Sequence, residues 1–286
     1  ASPLPPAPSP AGERQFAETE PPLENNRVTT ALITGASGGI GYELARLFAK
    51  DHCNLVLVAR RDAKLNQGAD QLRREFGVGV KTVALDLSAA LAPQHLFDQM
   101  QLEGVAVDVL VNNAAYGKFG EFADVELDES LGQMQLNIVA LTHLTKLFLG
   151  PMVERGSGKI LNVASTAGFQ PGPLMAVYYA TKAYVISFSE ALANELKPRG
   201  ISVTCFCPGA TDTGFQARAG MENSRLFKKI GAMNVKAVAR DGYRGMINGK
   251  TLVFSGWRNW LAAESVRVTP RKIVTAVSRW VAETVE

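Results

Sequence analysis

From Val28 onward the chain alternates short aliphatic runs with longer stretches of helical period, and this alternation restricts the fold more than any other feature. VTTALIT (28–34), NLVLVA (54–59), VKTVAL (80–85), VDVLV (107–111), KILNVA (159–164) and ISVTCFC (201–207) are rich in β-branched residues and read as strands, with a seventh at TLVFS (251–255). Helical stretches near 40–50, 62–76, 90–102, 125–150 and 174–197 separate them. Such an order requires crossover connections, which are right-handed and build a parallel sheet with helices on both faces. The expected fold is α/β: a Rossmann-like, doubly wound parallel sheet of about seven strands in a three-layer αβα arrangement. In such a sheet ligands bind outside the carboxyl ends of the strands, so chemistry is to be sought in the loops that follow them.

This unit spans 27–256 and leaves two flanks. Residues 1–26 hold seven of the fourteen prolines and no aliphatic periodicity, the composition of a disordered, polyproline-like arm without the apolar core of a signal peptide. Residues 257–286 read as a helical extension in which Ile273, Val274, Val277, Trp280, Val281 and Val285 share a face. Its acids and bases nearly balance, which favours packing on the domain or a subunit contact over lipid. The apolar runs fall short of the roughly 20 residues of a membrane helix. A net charge of +3 without a run of Lys or Arg argues against nucleic acid. Cys53, Cys205 and Cys207 are odd in number, and the last two alternate on one strand, so they are expected as buried free thiols in a reducing, cytoplasmic compartment. His52, His95 and His143 are too scattered to suggest a metal site.

The first strand runs into TGASGGIG, Thr34 to Gly41, and then into a helix. Gly35, Gly39 and Gly41 fall where a tight turn, close approach to a phosphate and close helix packing each exclude a Cβ. The free N–H groups at the helix start would hold a pyrophosphate. After the second strand, where a dinucleotide site usually places an acid for the ribose hydroxyls, the chain has Arg60-Arg61. A guanidinium suits a 2′-phosphate through charge-assisted bonds and offers a plain ribose nothing an acid would not offer better, so the cofactor inferred is NADP(H). The opposing features are Asp62, and Arg60 as a solvated charge at the start of the next helix.

VYYATKAY, Val177 to Tyr184, sets Tyr178 four residues and Tyr179 three residues before Lys182, so either phenol can share a helix face with the amine. With TGxxxGxG at the first turn, NNAAYG after the fourth strand, Ser165 after the fifth and YxxxK on the next helix, the sequence resembles the compact short-chain dehydrogenase/reductase family over roughly residues 28–255. The resemblance selects Tyr178, thirteen residues after Ser165, as the acid/base. It implies that Lys182 lowers the phenol's pKa and holds the nicotinamide ribose, that Ser165 steers the substrate oxygen, and that Asn137 holds a water in a proton path. It further implies cofactor contacts from Ser37, Ile40, Asp86, Leu87, Asn112, Ala114, Pro208, Gly209 and Thr213. Asn112 also suits a role tying neighbouring strands together through its amide, and the two roles are compatible. Gly38 departs from the polar or basic residue common inside the first turn, which shifts weight onto Arg60 and Ser37.

The activity implied is NADPH-dependent reduction of a ketone, aldehyde or 3-oxoacyl compound, or the reverse alcohol oxidation, by a homodimer or homotetramer. Residues 213–250 stand where the family has a substrate lid, and Phe215, Met221, Leu226, Phe227, Ile230 and Met233 suit either an apolar cover for a hydrophobic carbonyl compound or an ordinary helix interior. An NAD-linked alcohol dehydrogenase and a non-enzymatic NADP-binding regulator are the rival readings.

Overall fold

The computed structural model describes residues 28–60 and 62–284; the Pro-rich arm, Arg61 and Val285 lie outside them. Seven strands, β1 (Thr30–Thr34), β2 (Asn54–Ala59), β3 (Val80–Ala84), β4 (Val109–Asn112), β5 (Gly158–Val163), β6 (Ile201–Cys207) and β7 (Leu252–Phe254), form one sheet in the order 3-2-1-4-5-6-7. Every pairing is parallel. The order reverses between β1 and β4, which opens a crevice at their carboxyl ends.

Because strand side chains alternate sides, each strand supplies two cores. Ala31, Ile33, Leu55, Leu57 and Val111 meet Leu44 and Phe48 of α1 (Gly39–Lys50) and Leu65 and Leu72 of α2 (Asp62–Phe76) on one face. Leu32, Val56, Val58, Leu110 and Ile160 enter the opposite core, with Leu96 and Met100 of α3 (Ala92–Leu102). That second face is completed by α4 (Leu127–Met134), a π-helical turn (Gln135–Ala140), α5 (Leu141–Arg155) and α6 (Ala176–Leu196).

Residues 127–155 are one 29-residue helix that length and composition would allow to cross a membrane, which the separate apolar runs did not foretell. Here Leu136, Ala140, Leu144, Phe148 and Met152 are buried against the sheet, so it is a core helix. Its outer side exposes Leu127, Leu131, Met134 and Val139.

The segment 213–250 divides in two. Short α7 (Phe215–Ala219) and a π-helical turn (Leu226–Ile230) border the crevice. By contrast, α8 (Val235–Ile247) lies against the sheet, with Val238, Ala239, Tyr243 and Met246 in the first core. Its apolar positions follow the 3.6 period, and Tyr243 donates a 2.6 Å hydrogen bond to Asp51 beside α1. The expected cover over the whole segment is therefore corrected: 235–247 is an ordinary helix interior, and only residues before Asn234 border the crevice. The extension forms α9 (Trp257–Ser265) and α10 (Arg271–Ala282). Cys53, Cys205 and Cys207 are buried free thiols, the last two 3.7 Å apart on β6.

Candidate active site

A cavity of ≈ 520 Å³ lies over the carboxyl ends of the strands. At one end β1 gives way to the glycine turn. Gly35 has φ +67°, and a Cβ on Gly41 would stand 2.5 Å from the Gly35 carbonyl oxygen, so helix and turn approach too closely for any side chain there. Thr34 and Asn113 brace the turn: Asn113 donates its backbone N–H to Thr34 Oγ1 (2.9 Å) and its side-chain amide to the Thr34 carbonyl (2.9 Å). Gly35, Ser37, Gly39 and Ile40 line the cavity, and Gly41 packs beneath them.

Arg60, Asp86, Leu87 and Ala114 line the same end. Arg60 Nη1 is 3.7 Å from Asp86 Oδ2. Burial opposes ionisation of Asp86, but hydrogen bonds from Ser88 and the Arg60 charge outweigh it and hold the carboxyl below its usual range. Asp62 is turned to Asn66 (2.6 Å) rather than into the cavity wall. The sequence reading missed Lys64. Its Nζ lies 3.2 Å from where a Gly38 Cβ would be, so the cation absent from the turn is supplied from the first turns of α2.

Asn112 is corrected. Its buried side-chain amide donates to Thr145 Oγ1 and Asn162 Oδ1, both at 2.9 Å, tying β4 to α5 and β5, and the asparagine in the cavity wall is Asn113.

Tyr178, Ser165 and Lys182 converge midway along the cavity. Ser165 follows β5 by two residues and caps a short 3-10 turn (Thr166–Phe169); its hydroxyl accepts from Ala167 N (3.1 Å), donates to the Pro208 carbonyl (3.4 Å) and reaches the Tyr178 phenol. Burial raises the Tyr178 pKa well above that of an ordinary phenol, only partly opposed by Ser165. Lys182 Nζ donates to the Val163 carbonyl (2.7 Å) and lies 5.8 Å from the centre of the Tyr178 ring. Burial lowers its pKa to about 8. Lys182, bonded to Val163, does not offset this desolvation of the phenol. Tyr179 is buried in the wall, its ring 6.1 Å from that of Tyr178.

Asn137 does not line the cavity. From the π-helical turn it receives Tyr116 N (3.1 Å), donates to the Tyr116 carbonyl (2.9 Å) and donates to Thr181 Oγ1 (3.1 Å), which itself donates to the Tyr178 carbonyl (2.7 Å). It holds α6 from behind.

Beyond Tyr178 the wall is apolar: Met175, Phe215, Met221, Leu226, Phe227 and Met233. Phe215 packs on Tyr178 with centroids 5.2 Å apart. Pro208, Gly209 and Thr213 form the floor, and Thr213 Oγ1 accepts from Phe215 N (3.1 Å). Asn259 of α9 and Val281 of α10 also reach the cavity, so both extension helices wall it. Arg218 stacks on Tyr116 at 4.5 Å, joining α7 to the loop after β4. Among the described residues no group of three His, Cys, Asp or Glu is placed to hold a metal.

A family model described as short chain dehydrogenase matches residues 29–224. The chain belongs to the short-chain dehydrogenase family. Among its relatives, "Ketoacyl reductase HetN" of Nostoc sp. is 31% identical over 257 residues, 88% of each chain. "Very-long-chain 3-oxoacyl-CoA reductase" of Anas platyrhynchos is 37% identical over 184 residues, a match covering 62% of this chain and only 58% of that relative's length. Among solved structures, a short-chain dehydrogenase from Sphingobium yanoikuyae in complex with NADPH superposes with a TM-score of 0.77 at 32% identity, covering 84% of this chain and 94% of the other. A bulky-bulky ketone specific alcohol dehydrogenase from Comamonas testosteroni gives 0.72 at 29% identity over 84% and 92%.

Proposed function

We propose that this chain reduces an apolar carbonyl compound with NADPH. The observation that carries the reading is the meeting of Tyr178, Ser165 and Lys182 in one cavity with a glycine turn and the Arg60 and Lys64 cations. The fit to the cofactor rests on this donor set. The turn from Gly35 to Gly41 and the start of α1 would hold a pyrophosphate, Arg60 and Lys64 a 2′-phosphate, and Asp86 and Leu87 the adenine side. Bound there, NADPH supplies the hydride that reaches the carbonyl carbon.

The chain's own residues handle the oxygen and the proton. Ser165 hydrogen-bonds the carbonyl oxygen and Tyr178 gives it a proton as negative charge develops. Burial keeps Tyr178 protonated through neutrality, the form an acid needs for reduction; alcohol oxidation would need the phenolate. Lys182 replaces the lost proton along a path to the π-helical turn around Asn137, where the change of hydrogen-bond register frees backbone groups for water. Asn137 is a positioning residue for the helix carrying Tyr178.

The apolar wall suits a bulky ketone or a 3-oxoacyl chain, in keeping with the names of the relatives. The exposed Leu127, Leu131, Met134 and Val139 stripe suits the subunit contact of a homodimer or homotetramer, and the free thiols suit a reducing, cytoplasmic compartment. The catalytic unit is residues 27–256, with the extension added at 257–286. The test is NADPH consumption, followed by absorbance, over a panel of ketones, aldehydes and 3-oxoacyl thioesters. Turnover of bulky apolar members supports the reading; no NADPH binding and no turnover across the panel overturns it.

A further inference from the structure

The chain has three tryptophans, Trp257, Trp260 and Trp280, and all stand on α9 and α10 with at least half of their surface exposed. Tryptophan is ordinarily well buried, so three exposed rings on two adjacent elements call for a partner. Both helices are apolar on two sides. Inward, Ala263, Val274 and Ala282 are buried, and Asn259 and Val281 face the cavity. Outward, Trp257, Trp260 and Leu261 recur at i, i+3, i+4 on α9, and Ile273, Val277 and Trp280 at i, i+4, i+7 on α10, each at least half exposed. A helix between a core and water would place polar residues there.

The charges say what covers this face. From Trp257 to Thr284 there are five bases and two acids. Both acids are engaged, Glu264 with Arg267 (3.3 Å) and Glu283 with Arg225 (2.9 Å) and Arg279 (3.5 Å). Arg279 also lies 3.2 Å from Glu121, and among the described residues Arg258, Arg271 and Lys272 make no ion pair, which leaves three bases on these helices without a carboxylate partner. A two-fold contact of this face with itself would press like charges together. An anionic lipid surface accepts them, while tryptophan rings settle at the boundary between headgroups and acyl chains.

We infer that the outer faces of α9 and α10 dock on an anionic lipid surface. At nine and twelve residues the helices lie in the interface and do not span it. The packing on the domain expected from the sequence is met by the inner sides, and the inference concerns the outer faces alone. Because the inner sides of the same helices wall the cavity, docking sets that cavity beside the bilayer.

All the tryptophans lie on this face, so their emission reads docking without cofactor or turnover. The full chain is mixed with vesicles of phosphatidylcholine alone and of phosphatidylcholine containing phosphatidylglycerol. The expected result is a blue shift and co-sedimentation with the anionic vesicles, weakened by salt. Val277→Glu, at a half-exposed position, is expected to cut the bound fraction about tenfold, and Lys272→Glu about fivefold, with circular dichroism and NADPH binding unchanged. Absence of binding to either vesicle, or binding indifferent to Val277→Glu, overturns the inference. So does an oligomer that Val277→Glu dissociates without vesicle binding by the parent, which assigns the face to a second copy.

Discussion

At the β1–β4 end of the cavity, Gly35, Asn113 and Arg60 stand at the ends of strands whose partners are fixed on both sides, whereas beyond Tyr178 much of the wall comes from a five-residue helix, a π-helical turn and the turns between them, completed by α9 and α10. The first end is held by directional bonds, such as those from the Asn113 side-chain amide and the Ala114 N–H to Thr34. The second is held by apolar contact among Met175, Tyr179, Met221 and their neighbours Phe215, Leu226 and Phe227. Hydrogen bonds fix positions to tenths of an ångström, while side chains such as methionine repack around ligands of different shape. A cofactor of constant shape suits the first construction, and a substrate class suits the second.

The sharpest test of this contrast lies where the two ends meet. Tyr178→Phe keeps the ring that packs on Phe215 and removes the proton, so kcat is expected to fall roughly 10²-fold or more with the Kd for NADPH unchanged. Tyr179→Phe is expected to change kcat less than about threefold. Steady-state kinetics on both variants decides this, and a reversal of the two outcomes would move the acid to Tyr179.

At the directional end, Arg60→Asp sets a carboxylate beside Asp86 and is expected to shift preference from NADPH toward NADH by about tenfold to a hundredfold. Lys64→Ala is expected to cost NADPH alone, and less, because its amine is solvated. Fluorescence titration of both reduced cofactors measures these changes. Unchanged preference in Arg60→Asp would return the chain to an NAD-linked reading.

At the adaptable end, Phe227→Ala is expected to raise KM for a bulky apolar ketone about tenfold while leaving the Kd for NADPH alone. A matching loss of NADPH affinity would show that the two ends are not independent.

The smallest effect is on stability. Lys182 titrates near pH 8 when folded against 10.5 unfolded, so burying its charge opposes folding fully below pH 8, and the penalty fades as pH rises to 10.5. Lys182→Met removes the penalty and the bond to Val163. It is expected to stabilise the inactive protein by about 1–2 kcal/mol at pH 7, a few degrees in thermal midpoint, with no gain above pH 10.5. Thermal melts across that pH range test the sign.

The alternation of aliphatic and helical segments sufficed to read the seven strands and the helices between them, because strand burial on both faces and helix amphipathicity are written in local periodicity. The glycine turn was legible for the same reason, while helical spacing left Tyr178 and Tyr179 equally open opposite Lys182 and only the resemblance to a known family chose between them. Asn112 and Asn113 are neighbours with the same side chain, and only the crossing of β4 between β1 and β5 decided that the first ties strands while the second faces the cavity. Lys64 over Gly38, Asn259 and Val281 in the wall, and α8 behind the sheet likewise join residues far apart along the chain. Even the charge of the extension changed meaning in three dimensions. Composition counts Glu283 against the bases around it, but Arg225, fifty-eight residues earlier, lies 2.9 Å from its carboxylate and leaves the outer face of α10 basic.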